Sequence, residues 1–362
     1  MVTTVPENAL GWPDVLTGLV RGEDLDAGKT EWAMGEILSG NATSAQIAGF
    51  AIGLRAKGET ISEVEGLVNA MYDVANPLQI PGRLLDIVGT GGDRSFSVNV
   101  STMSAIVAAG AGARVVKHGN RSASSKAGTA DVLEELGVRL DLNPSQVADL
   151  AEQVGITFCF AAAFHPALRH AARARSQLGV ATTFNFLGPL ANPAKPHAQA
   201  IGCADPKMLS ILAGVFAGRG VDALVFRGDE GLDELTTTTT STVHAVHDGA
   251  IEVFTLDAAD LGLPRSAPED LRGGDVQHNA AVVRDVLEGE SGAVRDAVLL
   301  NAGAALAVYE QSEHAWPERI RVGMDLAAAA IDSGAAKTKL DQWVEASAAL
   351  DRASGFIRVR IA

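Results

Sequence analysis

The run Leu84-Leu85-Asp86-Ile87-Val88-Gly89-Thr90-Gly91-Gly92-Asp93, with Asn99-Val100-Ser101-Thr102 just beyond it, decides how this chain is read. A short apolar stretch ends in a glycine-punctuated turn, and the turn feeds residues that favour a helix start. A second turn of the same kind follows. Ala113 to Val116 is a strand candidate that runs into Lys117-His118-Gly119-Asn120-Arg121 and then Ser122-Ala123-Ser124-Ser125. Glycines let a backbone approach an anion closely, and the unpaired amides of a helix start point their positive ends at it. Two such cradles in tandem suggest a ligand with two separate phosphate groups. A strand-to-helix turn without any ligand has a similar composition, so neither turn is decisive by itself.

Outward from this run the chain changes character. Residues 12 to 75 read as helices only. Trp12, Val15, Leu16, Leu19 and Val20 recur at helical spacing, as do Trp32, Ala33, Ile37 and Leu38 ahead of Gly40. Thr43-x-x-Gln46 and Thr60-x-x-Glu63 fit the capping box and predict helices over 44–57 and 61–75. Pro77, Pro81 and Gly82 then mark a hinge.

Beyond it, short apolar runs alternate with longer amphipathic ones. Strands are expected at 84–88, 113–116, 156–160, 198–202, 223–227 and 243–246, with helices at 102–111, 129–136 and 166–178. The alternation predicts a mostly parallel sheet flanked by helices, in an α/β domain larger than the all-helical one before it. Ligands of such sheets bind beyond the carboxyl ends of the strands, where both glycine turns fall. Thr236 to Thr240 is the one low-complexity patch, and it reads as a solvated turn or strand edge.

Composition narrows the function classes. With 362 residues, two domains are the default, and 47% hydrophobic against 20% charged residues is globular. The balance of 29 basic and 44 acidic residues gives a net charge of −15, which repels nucleic acid and anionic membranes. An anionic ligand must then be held by local amides, a few cations and a metal. Cys159 and Cys203 stand far apart and outside any CxxC pattern, which reads as two buried thiols in a reducing compartment. Met1 to Leu10 holds no basic region followed by an apolar run, and no apolar stretch approaches the ~20 residues of a membrane span. A soluble, cytoplasmic protein is expected.

Several side chains are candidates for the chemistry. Asn99, Ser101 and Thr102 suit a helix N-cap, and equally a pyrophosphate and, through a hydroxyl, Mg²⁺. Lys117 would act as a point charge on phosphate, with the serines and amides of 118–125 as a nest. Asp233-Glu234 could hold Mg²⁺ with several waters, although adjacent acids are common in a chain with 44 of them. Arg169, Arg173 and Arg175 share one predicted helix with His165 and His170. They read as an exposed basic face or as helix staples, and one of them could hold a carboxylate bidentately. No Ser–His–Asp, Cys–His or zinc pattern is present in the sequence, so no catalytic residue is assigned. Charge stabilisation and positioning are left to carry the reaction.

Taken in order, these segments resemble the anthranilate phosphoribosyltransferases, tryptophan-pathway enzymes that join anthranilate to phosphoribosyl pyrophosphate (PRPP). The shared pattern runs through Gly89-Thr-Gly-Gly-Asp93, Asn99-Val-Ser-Thr102, Lys117-His-Gly-Asn-Arg121, Ala130-Asp-Val-Leu133 and His165-Pro166. It continues through Phe184-Asn-x-Leu-Gly-Pro-Leu-x-Asn-Pro193, Asp233-Glu234, Asn279-Ala280, Arg295-Asp296 and Leu299-Leu300-Asn301-Ala302. The resemblance implies PRPP binding by Gly89, Gly92, Asp93, Ser97, Asn99, Val100, Ser101, Thr102, the loop Lys117, His118, Gly119, Asn120, Arg121, Ser122, Ala123, Ser124, Ser125, and Thr129. It implies Mg²⁺ at Ser101, Asp233 and Glu234, and anthranilate at Asn120 and Arg175 with Gly89 and His118 nearby. It further implies a helical domain over 1–80 with part of 166–195, an α/β domain over 81–165 and 196–362, and a hinge near 76–83. A cleft between the domains and a homodimer formed through the helical part belong to the same implication. Pyrimidine nucleoside phosphorylases share the architecture, but their phosphate loop differs from Lys117–Arg121. A non-catalytic, nucleic-acid-binding paralogue would need a basic groove, which the net charge of −15 opposes.

Overall fold

The computed structural model describes residues 10–121 and 126–353. Ser122, Ala123, Ser124 and Ser125 of the second glycine turn lie outside the described residues. The chain divides into two units: residues up to Ala75 together with His165–Ala191, and Asn76–Phe164 together with the chain from Asn192 onward.

In the first unit, helices α1 (Trp12–Val20), α2 (Ala27–Leu38), α3 (Ser44–Lys57) and α4 (Ile61–Val74) are set by local signals. Thr43 and Thr60 accept the amides of Gln46 and Glu63, and both capping boxes close as their spacing predicts. Trp12 packs on Trp32 and Phe50 at ring separations of 5.4 and 6.0 Å, which seeds the unit's core. Gly66 lets α4 meet α2 backbone to backbone, since a Cβ there would lie 2.1 Å from Ala27 O. The segment 165–191 is pinned at both ends by His165 Nε2 on Ala191 O at 2.8 Å. Tyr72 Oη donates to Leu190 O, and Thr183 Oγ1 to Glu59 Oε1, which fastens that segment to the four helices.

The second unit is built on β1 (Leu85–Gly89), α5 (Val100–Gly110), β2 (Val115–Gly119), α6 (Thr129–Glu135), α7 (Pro144–Gln153), β3 (Ile156–Phe160) and α8 (Ala161–Phe164). Helix α9 (Arg169–Leu178) belongs to the first unit, and the second resumes with β4 (Ala198–Gly202), α10 (Pro206–Gly218) and β5 (Asp222–Gly228). Strands β6 (Thr240–His247) and β7 (Ala250–Asp257) follow, then α11 (Val276–Leu287), α12 (Ala293–Tyr309), α13 (Trp316–Asp332) and α14 (Ala335–Ala353). The sheet order is β3-β2-β1-β4-β5-β6-β7, parallel from β3 to β5 and antiparallel at β6 and β7.

Chain order reverses between β1 and β4, because the connections after β1 move outward to β3 before returning to β4. That is the topological switch point, where open α/β sheets bind ligands. Among the described residues no helix is long and apolar enough to cross a membrane.

Two expectations differ from the structure. Strand β7 is absent from the sequence reading because its side chains are mostly exposed and give no apolar run. Its signal is the Asp248-Gly249 pair, with φ of 48° and 75°, which turns β6 directly into β7. The threonine run is a strand edge only at Thr240, which opens β6, and its first half is not a solvated turn. Thr236 and Thr237 are 1% and 0% exposed, and Thr236 and Thr238 donate to Glu230 Oε1 while Thr237 meets Ser266 Oγ.

Candidate active site

Gly89 and Gly202 face each other in register at the carboxyl ends of β1 and β4. Both must be glycine because the Asp233 segment lies across them. A Cβ on Gly89 would sit 2.2 Å from Asp233 Oδ2, and one on Gly202 only 1.6 Å from Asp233 O. The switch point is thus the place where the acidic pair enters the sheet edge. Gly91 and Gly92 then turn with φ of 70° and 86°, and Gly91 N donates to Asp233 Oδ2 at 2.7 Å. Arg94 and Phe96 also hold positive φ, a conformation costing roughly 1 kcal/mol or more each in non-glycine residues. Ser97 bridges to Arg272 on the far side of this loop.

Asn99 stands at the N-cap of α5, but its side chain does not cap the helix. It donates to Ala127 O at 3.2 Å and accepts from Asn279 Nδ2 at 2.8 Å, so it ties the first glycine turn to the approach of the second. The helix start is served instead by Glu234, whose Oε1 accepts from Ser101 N at 3.2 Å. Thr102 Oγ1 reaches Thr129 Oγ1 at 3.3 Å, which joins the N-termini of α5 and α6. The first turn, the start of α5 and the Asp233-Glu234 pair therefore form one constellation at the switch point.

The second turn is more divided. Lys117 lies inside the sheet, 1% exposed, with Nζ donating to Ile87 O and to Ser101 Oγ at 3.3 Å. Burial lowers its pKa, while the charges of Asp86, Glu234 and Asp233 act to raise it. His118 is buried beside it, and its amide donates to Asp86 Oδ1 at 3.0 Å. Gly119 leaves space for Phe158, whose ring would be 2.9 Å from a Cβ. Asn120 is exposed, and its carbonyl accepts from Ala130 N at 3.4 Å. Arg121 is exposed and forks onto α6, with Nη1 at 2.6 Å from both Asp131 and Glu134. The structure thus places the lysine beneath the constellation and leaves the arginine paired beside it.

Three carboxylates, Asp93, Asp233 and Glu234, act on one another here, and Lys117 faces two of them, Asp233 and Glu234. Asp233 is pushed up to about 7, first by burial and then by the charge of Asp93. Glu234 is raised well above the ordinary carboxylate value by burial and by Asp233. Asp93 Oδ2 is buried and has no hydrogen-bond partner among the described residues. Buried, mutually repelling oxygens short of donors suit a hard divalent cation that prefers carboxylate and hydroxyl ligands. A separate group, Asp222, His247 and Asp248, also brings ligand atoms within 4.8 Å of one another. There Arg83 already holds Asp222 Oδ2 at 2.6 Å, so that cluster reads as an ion-pair network.

Supporting residues escaped the sequence reading. Asp86 is 0% exposed in the middle of β1, with a pKa of about 6 raised by burial and held down by Lys117, Asn192 and the His118 amide. Asn192 Nδ2 donates to Asp86 Oδ2 and to Val116 O, both at 2.8 Å. The available signal was a lone acid interrupting Leu84–Val88, which strand patterning alone does not interpret. Arg175 belongs to the other unit. It is partly buried with its guanidinium over the Phe184 ring at 5.7 Å, and no carboxylate pairs with it among the described residues. Arg169 and Arg173 of the same helix are exposed.

Comparison with known proteins agrees with this geometry. The profile of the glycosyl transferase family a/b domain matches residues 81–337, and that of the family's helical bundle domain matches 13–75. An anthranilate phosphoribosyltransferase from Nocardioides sp. is 67% identical over 337 residues, covering 93% of this chain and 99% of that protein. The crystal structure of anthranilate phosphoribosyltransferase from Thermus thermophilus has a TM-score of 0.86 at 38% identity, covering 92% of this chain and 99% of that one. The Saccharomyces cerevisiae enzyme in complex with PRPP and Mg has a TM-score of 0.85 at 25% identity, with coverage of 94% and 98%.

Proposed function

We propose how this chain works from the premise that it belongs to the anthranilate phosphoribosyltransferase family, within the glycosyl transferases. It is a pentosyltransferase of tryptophan biosynthesis that moves the 5-phosphoribosyl group of PRPP to the amine of anthranilate, with Mg²⁺ as cofactor. The products are N-(5-phosphoribosyl)anthranilate and pyrophosphate. The amine nitrogen forms a bond to the anomeric carbon as the bond to pyrophosphate oxygen breaks, and the leaving group keeps the electron pair. An aryl amine is nucleophilic while neutral, so no activated serine or cysteine is needed. The proton it releases goes to water or pyrophosphate.

PRPP is assigned to Gly89, Gly92, Asp93 and Ser97 of the first turn, the start of α5 at Asn99–Thr102, and the second turn from Lys117 with Thr129. Ser101, Asp233 and Glu234 are the residues that would hold Mg²⁺, which supplies compensation for charge developing on the leaving pyrophosphate. Lys117 contributes from beneath, where its contact with Ser101 Oγ orients that hydroxyl. Arg175 is the proposed partner of the anthranilate carboxylate, since a guanidinium that pairs with no carboxylate among the described residues matches a planar acid bidentately. Asn120, with Gly89 and His118, is a further proposed anthranilate contact.

A homodimer formed through the helical unit is part of the proposal, supported by the exposed aliphatic side chains of Val20, Ile52, Ile61 and Val74. A cytoplasmic location is part of the proposal, in keeping with two buried thiols at Cys159 and Cys203.

The observation that carries the assignment is the Asp233 segment lying across Gly89 and Gly202 while touching Gly91 and Ser101. Anthranilate fluorescence, followed with the protein, PRPP and Mg²⁺ and then with each omitted, is the test. Decay that needs all three supports the reading; decay that persists without PRPP would sink it.

A further inference from the structure

One motif of the sequence, Leu299-Leu300-Asn301-Ala302, has a polar member that the reaction has not yet used. Asn301 lies on α12, where every residue from Ala297 to Val308 except Leu299 is buried. Its amide is 1% exposed among alanines, leucines and valines. Burying an amide there is unfavourable by about 1–3 kcal/mol unless its hydrogen bonds are made, and here each is made. Oδ1 accepts from Leu235 N at 2.9 Å, and Nδ2 donates to Leu235 O at 2.9 Å and to Ala297 O at 2.9 Å. The side chain therefore grips both main-chain polar groups of one residue on a neighbouring segment, as a β-strand would.

That residue directly follows Asp233-Glu234. Where Asp233 and Glu234 stand beside Asp93 depends on where the backbone that carries them is held. The clamp on Leu235 fixes that backbone without touching either carboxylate. The alternative is that Asn301 merely satisfies two buried peptide groups and has no bearing on the cation.

We propose that Asn301 is a positioning residue for the divalent cation: through Leu235 it holds Asp233 and Glu234 at the switch point before the cation binds. This rests on the reading of Asp233 and Glu234 as metal ligands. Groups that hold metal ligands in place set metal affinity because they fix ligand orientation in advance, and Asn301 does so through the backbone of the residue next to Glu234.

The test uses the full chain and Mn²⁺ as a spectroscopic probe, titrated by electron paramagnetic resonance, with the Mg²⁺ dependence of turnover measured alongside. Asn301→Ala is expected to weaken Mn²⁺ binding and raise the half-maximal Mg²⁺ concentration roughly ten- to hundredfold. Asn301→Ser, which keeps one hydroxyl, should show a smaller shift in the same direction and carries the test if the alanine variant does not fold. Leu306→Ala, a cavity on the same helix, should lower the melting temperature and leave both metal readouts unchanged. Asn301 variants that melt early yet bind Mn²⁺ with the parent affinity, while Glu234→Gln loses it, would overturn the proposal alone. Undiminished Mn²⁺ binding by Glu234→Gln would overturn the metal-pair reading and this proposal together.

Discussion

Each unit of this molecule buries a glutamate near a lysine, and the two are built for opposite ends. In the helical unit Glu63 is 0% exposed and fully provided for. Oε1 takes Leu25 N at 2.8 Å, while Oε2 takes Thr60 N at 2.8 Å and Lys57 Nζ at 3.0 Å. Burial acts to lower the pKa of Lys57, but its bonds to Asp24 and Glu63 win and the pKa is raised. In the α/β unit Glu234 has one amide, a buried lysine, and two further carboxylates beside it. A carboxylate with donors on both oxygens stabilises the fold; one left short of donors and crowded by like charge is prepared for a cation.

The largest test of that contrast removes the charge from the crowded site. Asp233→Asn with Glu234→Gln should lower turnover roughly 10²–10³-fold at fixed Mg²⁺, with a melting temperature no lower than the parent's. Near-normal turnover would end the distinction. The mirror experiment is Glu63→Ala, which strands two amides and leaves Lys57 with Asp24 and the Gly58 carbonyl. It should destabilise the protein by about 3 kcal/mol in urea unfolding, with kcat of the folded fraction unchanged.

A finer comparison uses two glycines with equally crowded surroundings. Gly202→Ala forces the Asp233 carbonyl away, and Gly66→Ala forces α4 off Ala27. Each should lose about 1–3 kcal/mol of stability, but only Gly202→Ala should raise the Mg²⁺ requirement in steady-state assays. A shifted requirement in both would mean that stability alone sets it.

The smallest expected effect is one of pH. The folded carboxyl of Asp233 is raised to about 7, while an unfolded aspartate titrates near ~4. Between those values the unfolded chain is ionised and the folded group keeps its proton, so the metal-free protein loses stability as pH rises through that window. A bound cation displaces the proton and cancels the loss. Saturating Mg²⁺ should therefore raise the melting temperature about 2–4 °C more at pH 8 than at pH 5.5. Equal shifts at the two pH values would take Asp233 out of the cation site.

The same contrast separates what could be read from the chain. Glu63 is legible because a capping box is a contact between residues three apart, and helix periodicity supplies the rest. The glycine turns are legible for a similar reason: strand, turn and helix start are contiguous, and the parallel alternation puts them all on one sheet edge. Strands β3 and β4 begin and end where their apolar runs do. By contrast, the roles of Asp86, Asn192, Asn279 and Asn301 are absent from any local pattern, because each pairs with groups dozens of residues away. Lys117 reads as a point charge on phosphate, and only the sheet shows that its ammonium is buried and reaches Ser101 Oγ.

The order of residues by itself determined the helical start, the mostly parallel α/β remainder, the strand-to-turn steps at Gly89 and Gly119 and the family, since all of these are written in short-range spacing and in motifs taken in sequence. Only the tertiary structure decided which charges are satisfied and which are left wanting. That balance depends on burial and on hydrogen bonds closed between distant segments, and neither exists until the strands have paired.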